Sequence, residues 1–265
     1  MLLKDYARPK DLHEAYELLH QDEHNVILGG GAWLKLTHKD VNTIIDLHSI
    51  GLHEIIEKDD SIEIGAMTSL RQIETSTIIH SCFDGVFCQA VKSIMGMNIR
   101  NLATIGGSIM GKYSFSDIFT PLLAMDVSLV FFKAGTITLK EFLETKRMEK
   151  DILVKIILHK EEGSGYFHTM KKTALDFAVI NVAVTKAEKV KIVVGARPSI
   201  ATRALEAEEF INNTDINEAS IIAAAKLARE EIKTGKNARA SKEYRKELIE
   251  VYVKRGLKEV FNYEG

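Results

Sequence analysis

Apolar residues recur at helical spacing from Leu12 through Ala15 and Tyr16 to Leu19, with Pro9 just upstream, and this predicts a helix over residues 11–20. The short apolar run at 25–28 leads into Gly29, Gly30 and Gly31, so a strand there ends in a turn. Residues 43–47, rich in β-branched side chains, predict a second strand. Residues 52–57 and 61–65 flank Lys58-Asp59-Asp60 and read as a hairpin, and 70–80 and 85–95 read as helices, the second closed by Gly96. The string Ile99-Arg-Asn-Leu-Ala-Thr-Ile-Gly-Gly-Ser-Ile follows, with its glycines where a turn is wanted. Pro121 opens a helical turn over 121–125, and 127–132 and 136–139 pair as strands.

Polar and glycine content rises at 160–165, which marks a domain boundary. Beyond it, strands are expected at 166–171, 177–185 and 190–195, then helices at 202–212, 217–233 and 241–260. Strands followed by helices imply an α+β domain rather than a doubly wound one. No internal repeat is visible.

Composition narrows the classes. The 265 residues are 46% hydrophobic, enough for a large core, and a net charge of −2 leaves no electrostatic footprint for nucleic acid or an anionic membrane. No apolar run approaches the ~18 residues of a membrane span, and the first residues carry charge where a signal peptide needs an apolar stretch. The expectation is a soluble, cytoplasmic chain. Two cysteines, Cys82 and Cys88, cannot build a disulfide framework or a four-ligand metal site; they are small buried hydrophobes or a weak redox pair.

The glycine clusters carry the candidate chemistry. Glycine after a strand lets backbone N–H groups approach an anion, because no Cβ intervenes. Either cluster alone is equally well a tight turn. A Rossmann reading of Gly29-Gly30-Gly31-Ala32-Trp33-Leu34 fails: position 34 is Leu where close packing wants Gly or Ala, and residues 32–42 barely allow a crossover. Asp46, at a strand end, only mimics a ribose-binding acid. One ligand spanning both clusters would place a pyrophosphate between them, which points to a dinucleotide held outside a Rossmann fold.

At Ile99-Arg100-Asn101-Leu-Ala-Thr104-Ile105-Gly106-Gly107-Ser108 the sequence strongly resembles the flavoprotein subunits of molybdenum hydroxylases, among them the FAD subunit of xanthine dehydrogenase and the medium subunit of aerobic carbon-monoxide dehydrogenase. The segment from Leu28 through Gly29, Gly30, Gly31, Ala32, Trp33 and Leu34 resembles the family's first phosphate loop, with Ala32 in place of its hydroxyl. Ser116-Asp117-Ile-Phe-Thr-Pro121 matches a third element, which implies that Asp117 hydrogen-bonds the flavin cofactor. Ser241-Lys-Glu-Tyr244-Arg245 and 197–204 extend the likeness to nearly the whole chain. The resemblance further implies Leu153 packed beside the flavin, Lys172 at the family's arginine position, and cofactor contacts from Arg100, Thr104, Ile105, Gly106, Gly107 and Ser108. Of the two clusters, the string around Gly106 and Gly107 is the specific one, and the first must work through its backbone.

The implied fold is α+β: a non-Rossmann FAD-binding domain over 1–160, made of α/β subdomains at about 1–52 and 53–160, then a C-terminal α+β domain over 161–265 with a small antiparallel sheet and helices. FAD is the implied cofactor, with no catalytic acid or base, since the flavin carries the chemistry. The implied partners are a molybdopterin-binding large subunit and a [2Fe–2S] small subunit, with NAD or another acceptor downstream. A self-contained FAD oxidoreductase and a flavin-free assembly module are the competing readings; flavin content and co-purification with a molybdenum subunit separate them.

Other residues stay open at this level. Trp33 covers adenine or flavin, or packs a domain seam; Arg100 neutralises phosphate or pairs with an acid. Asn101 reads as a turn former, and the run 242–250 as a solvated helix face. His13, His20, His24, His38, His48, His53, His80, His159 and His168 show no metal spacing, and most are expected to be solvated.

Overall fold

The computed structural model describes residues 3–36, 40–146 and 148–264; His38 lies outside them. Strands β1 (Leu3–Ala7), β2 (Val26–Leu28) and β3 (Val41–Asp46) form a parallel sheet in the order β1-β3-β2, with Leu28 opposite Asp46. β3 lies between the others and is buried along nearly its whole length, as the central strand of a covered parallel sheet must be. The helix Leu12–Gln21 joins β1 to β2. Asp11 caps it by accepting the Glu14 N–H at 2.9 Å, and Ala15 and Leu19 bury against Ile45, Leu47 and Ile152. Lys150 ties down the loop entering β2: its Nζ donates to the carbonyls of Asp22, Glu23 and Asn25 at 3.2, 2.6 and 3.3 Å. Between β2 and β3 the described residues hold only a 3-10 turn, Leu34–Leu36, so the connection lacks a Rossmann crossover helix there.

A second, antiparallel sheet contains β4 (Ile55–Glu57), β5 (Ser61–Gly65), β6 (Ser128–Phe131), β7 (Gly135–Thr138) and β8 (Leu153–His159), ordered β4-β5-β8-β6-β7. The hairpin expected around residues 58–60 is β4-β5. Its central strand, β8, is not among the predicted elements, nor is the helix Leu139–Glu144, which Thr138 and Glu141 close with a capping box. The expected helix at 70–80 is broken: Leu70–Glu74 and Thr77–His80 are separate, because Ser76 turns its hydroxyl to the Ile79 N–H and starts a new helix. Two further corrections fall between Met97 and Met110. Asn101 lies inside the helix Met97–Leu102, not in a turn, and Gly106 and Gly107 open the helix Ile105–Met110.

The third sheet, β9 (Ser164–Met170), β10 (Ile180–Lys186), β11 (Val190–Gly195) and β12 (Thr202–Arg203), is antiparallel in the order β12-β11-β10-β9. The helices Leu205–Asn212, Glu218–Glu231 and Lys242–Val260 cover one face, burying Ile180, Val182, Val184 and Ile192 against Ala224, Ile249, Val253 and Leu257. Thr202 belongs to a strand, so the first of these helices starts three residues later than expected. The run 242–250 is not uniformly solvated. Arg245 is fully buried and donates to the carbonyls of Val179, Gly235 and Ala240 and to Asn237 Oδ1, at 2.6–3.2 Å.

The chain divides into two compact units that interleave along the sequence. The first takes residues up to Ile73, Met97–Gly111 and Val127–His159; the second takes Glu74–Gly96, Lys112–Asp126 and everything from Lys160.

Candidate functional site

In the first unit, β2 ends at Leu28 and the backbone turns through Gly29, Gly30 and Gly31. Gly30 and Gly31 are left-handed, with φ of +79° and +72°. The N–H groups of Gly29, Gly30, Gly31 and Ala32 donate to no protein acceptor among the described residues. Successive amides in such a conformation form a concave nest that suits an anion. The glycines are required by close approach as well. A Cβ on Gly29 would lie 2.7 Å from Gly107 Cα, and one on Gly30 would collide with the Leu102 carbonyl oxygen. The two glycine clusters therefore touch, as a single ligand requires.

Their roles differ. Every amide at the start of the helix Ile105–Met110 is spent on protein: Ile105 N–H on Thr68 O at 3.0 Å, Gly106 N–H on Ala66 O at 2.8 Å, Gly107 N–H on Thr104 Oγ1 at 3.2 Å and Ser108 N–H on Thr104 O at 3.0 Å. The Ser108 hydroxyl also turns inward, to Thr104 O at 2.8 Å. The second cluster thus serves as a floor for the first, and of the two clusters' described amides the open donors belong to residues 29–32. Thr104 is buried and caps the helix; Ile105 is fully buried. Arg100 is buried in the preceding helix, while Leu28, Ala32, Trp33 and Leu34 are half-buried at the rim of the turn. Leu153 is buried at the start of β8.

Asp117 lies in the second unit, buried just ahead of the helix Phe119–Ala124. Its Oδ2 pairs with Lys171 Nζ at 2.8 Å, and its Oδ1 accepts from Asn181 Nδ2 at 2.6 Å and Thr169 Oγ1 at 3.1 Å. Lys171 also donates to Ser93 O at 2.6 Å. Lys172 is not in this cluster: it is exposed, with Nζ 3.5 Å from Ala238 O. Sequence reasoning missed Asn181, Thr169 and Thr120, whose hydroxyl donates to Asn181 Oδ1 at 2.7 Å. The one visible signal was a polar Asn inside the apolar run Ala-Val-Ile-Asn-Val-Ala-Val.

The remaining candidates resolve into structural roles. Asp46 accepts from the Tyr6 hydroxyl and from the His48 N–H at 2.9 Å, with Arg8 3.5 Å away. Burial pushes its carboxyl up, but those three partners outweigh it and hold the acid below its ordinary range. Cys82 and Cys88 are both buried, and desolvation pushes the Cys88 thiol up to about 11, too high for a reactive thiolate near neutral pH. His168 lies against the Tyr252 ring in a tilted arrangement, centroids 4.1 Å apart, and burial, then Arg255, lowers its pKa. No group of three metal-ligating side chains occurs among the described residues.

Residues 3–159 match the family model described as the FAD binding domain in molybdopterin dehydrogenase, and residues 165–260 match the CO dehydrogenase flavoprotein C-terminal domain. The xanthine dehydrogenase FAD-binding subunit of Escherichia coli O157:H7 is 26% identical, over 98% of this chain and 97% of that protein. The glyceraldehyde dehydrogenase medium chain of Sulfolobus acidocaldarius is 24% identical, over 96% and 97%. Among solved structures, carbon monoxide dehydrogenase from Hydrogenophaga pseudoflava shares the fold with a TM-score of 0.90, covering 98% of this chain and 97% of that one at 24% identity. With one family model matching residues 3–159 and a second matching 165–260, the chain belongs to the family of FAD-binding domains of molybdopterin dehydrogenases, an oxidoreductase subunit whose cofactor is FAD.

Proposed function

We propose that this chain is the electron-transfer subunit of a molybdenum-containing hydroxylase, taking electrons from a [2Fe–2S] subunit and passing them to NAD or another acceptor. Its partners are a molybdopterin-binding large subunit and a small iron–sulfur subunit, and it works in the cytoplasm; no helix among the described residues is long and apolar enough to cross a membrane. Bound FAD supplies the redox chemistry, so the chain itself needs no catalytic acid or base. The cofactor-carrying part runs over about 1–160 and the C-terminal flavoprotein domain over 161–265.

The observation that carries this reading is the run of four uncommitted amides at residues 29–32, laid on the Gly107 floor. Those donors fit the oxygens of the FAD diphosphate. They act regardless of side chain, so Ala32 and Trp33 do not impair them. Thr104 and Ser108 hold the floor, and Arg100 adds positive charge to the same segment. We extend the proposal to flavin contacts from Asp117, Leu153 and Lys172.

The purified chain titrated with FAD should bind it and keep the yellow flavin colour after free FAD is removed. Gly107→Val, whose Cβ would sit 2.7 Å from the Gly29 carbonyl oxygen, should lower FAD affinity about 100-fold by lifting the nest off its floor. Unchanged affinity in that variant would overturn the site. Co-purification with a molybdenum subunit and an iron–sulfur subunit tests the electron-transfer role; recovery of a flavin-loaded chain that oxidises its own small substrate would replace that role.

A further inference from the structure

Three residues stand in a row across the third sheet, on paired positions of one face: Thr169 on β9, Asn181 on β10 and Gly195 on β11. Asn181 is fully buried, and so is Thr120 in the helix Phe119–Ala124. The Thr120 hydroxyl donates to Asn181 Oδ1 at 2.7 Å, and Asn181 Nδ2 donates to Asp117 Oδ1 at 2.6 Å. Gly195 leaves the space for this chain of bonds, since a Cβ there would collide with both Thr120 Oγ1 and Asn181 Oδ1.

The direction of the chain is set by charge. A carboxylate only accepts, so the amide must present its NH2 end to Asp117, and its carbonyl end then requires a donor, which Thr120 provides. A donor on the carbonyl oxygen polarises the amide and strengthens the bond it makes from nitrogen. Asp117 thus has Oδ1 filled twice, by Asn181 and Thr169, while among the described residues Oδ2 accepts only from Lys171.

We infer that Thr120 and Asn181 are positioning residues for Asp117: they pin Oδ1 and so leave Oδ2 as the oxygen that accepts from the flavin cofactor. This rests on the reading of Asp117 as a cofactor contact. Neither residue touches the cofactor in this arrangement; both act through the carboxylate.

The test is a double-mutant cycle on the full chain, read as FAD affinity and as the visible spectrum of bound flavin. Thr120→Val removes the hydroxyl at constant shape and should weaken FAD about fivefold and shift the flavin bands, whereas Thr120→Ser should stay within about twofold of the parent. Asp117→Asn should weaken FAD about tenfold. In the D117N background, T120V should have almost no further effect, because its influence travels through the carboxylate. Should D117N fail to fold, D117N combined with K171M removes both buried charges together and serves as the background. A T120V loss of equal size in both backgrounds means a merely structural role and overturns the inference. A D117N chain with unaltered FAD affinity and spectrum overturns the reading of Asp117 and the inference with it; a sensitive D117N beside an insensitive T120V overturns the inference alone.

Discussion

The nest of the first unit is made of backbone: its open donors are amides, and the residues that shape it contribute by lacking a Cβ. The Asp117 cluster of the second unit is made of side chains from positions 117 to 181, held at 2.6–3.1 Å. A backbone site tolerates side-chain drift at its rim but not an added carbon at its floor. A side-chain cluster has the reverse sensitivity, because each buried polar atom depends on one particular partner.

That contrast can be broken by substitution. Lys171→Met leaves the Asp117 carboxylate buried without its counter-charge and should cost about 4 kcal/mol, measured as a shift in denaturant midpoint. A loss below about 1 kcal/mol would mean the pair is not a structural partner of the cluster. Gly30→Ala adds one carbon where φ is +79° and the Leu102 carbonyl blocks it, and should reduce FAD affinity about 100-fold, or about 2.7 kcal/mol. Thr104→Ala removes the acceptor of the Gly107 N–H and the cap of its helix, costing about 1 kcal/mol of stability by thermal melting. Ala32→Ser returns the family's hydroxyl to the rim and should change FAD affinity less than about threefold, since in the proposed site the amides make the contact. A tenfold gain there would show that the side chain matters and erase the contrast.

The same contrast explains what could be read from the sequence. Gly29, Gly30, Gly31, Gly106 and Gly107 announce a close backbone approach, and helix starts at Asp11 and Ser241 are written in local capping chemistry. What the letters did not show is how the amides are distributed. The string around Gly106 and Gly107 is the more specific, yet its N–H groups are consumed by Ala66, Thr68 and Thr104, contacts set by tertiary packing. β8 escaped because Lys155 interrupts its apolar pattern; only across the sheet does it meet Glu63, at 2.7 Å. Arg245 hid within a charged run because periodicity cannot tell which charge of a helix finds carbonyl acceptors inside. Thr169 and Asn181 are ordinary residues until folding brings them to one carboxylate, and so is Thr120 until it meets Asn181.

The interleaving of the two units has a consequence for biosynthesis. A ribosome finishes the first unit once His159 has emerged, but the segments Glu74–Gly96 and Lys112–Asp126 belong to a unit whose sheet and helices come later. At about 5–20 residues per second, Val86, Phe87, Val91 and Leu122, all buried in the finished chain, wait roughly ten seconds for the surfaces that cover them. For that interval these apolar segments stay uncovered, and the nascent chain is open to aggregation.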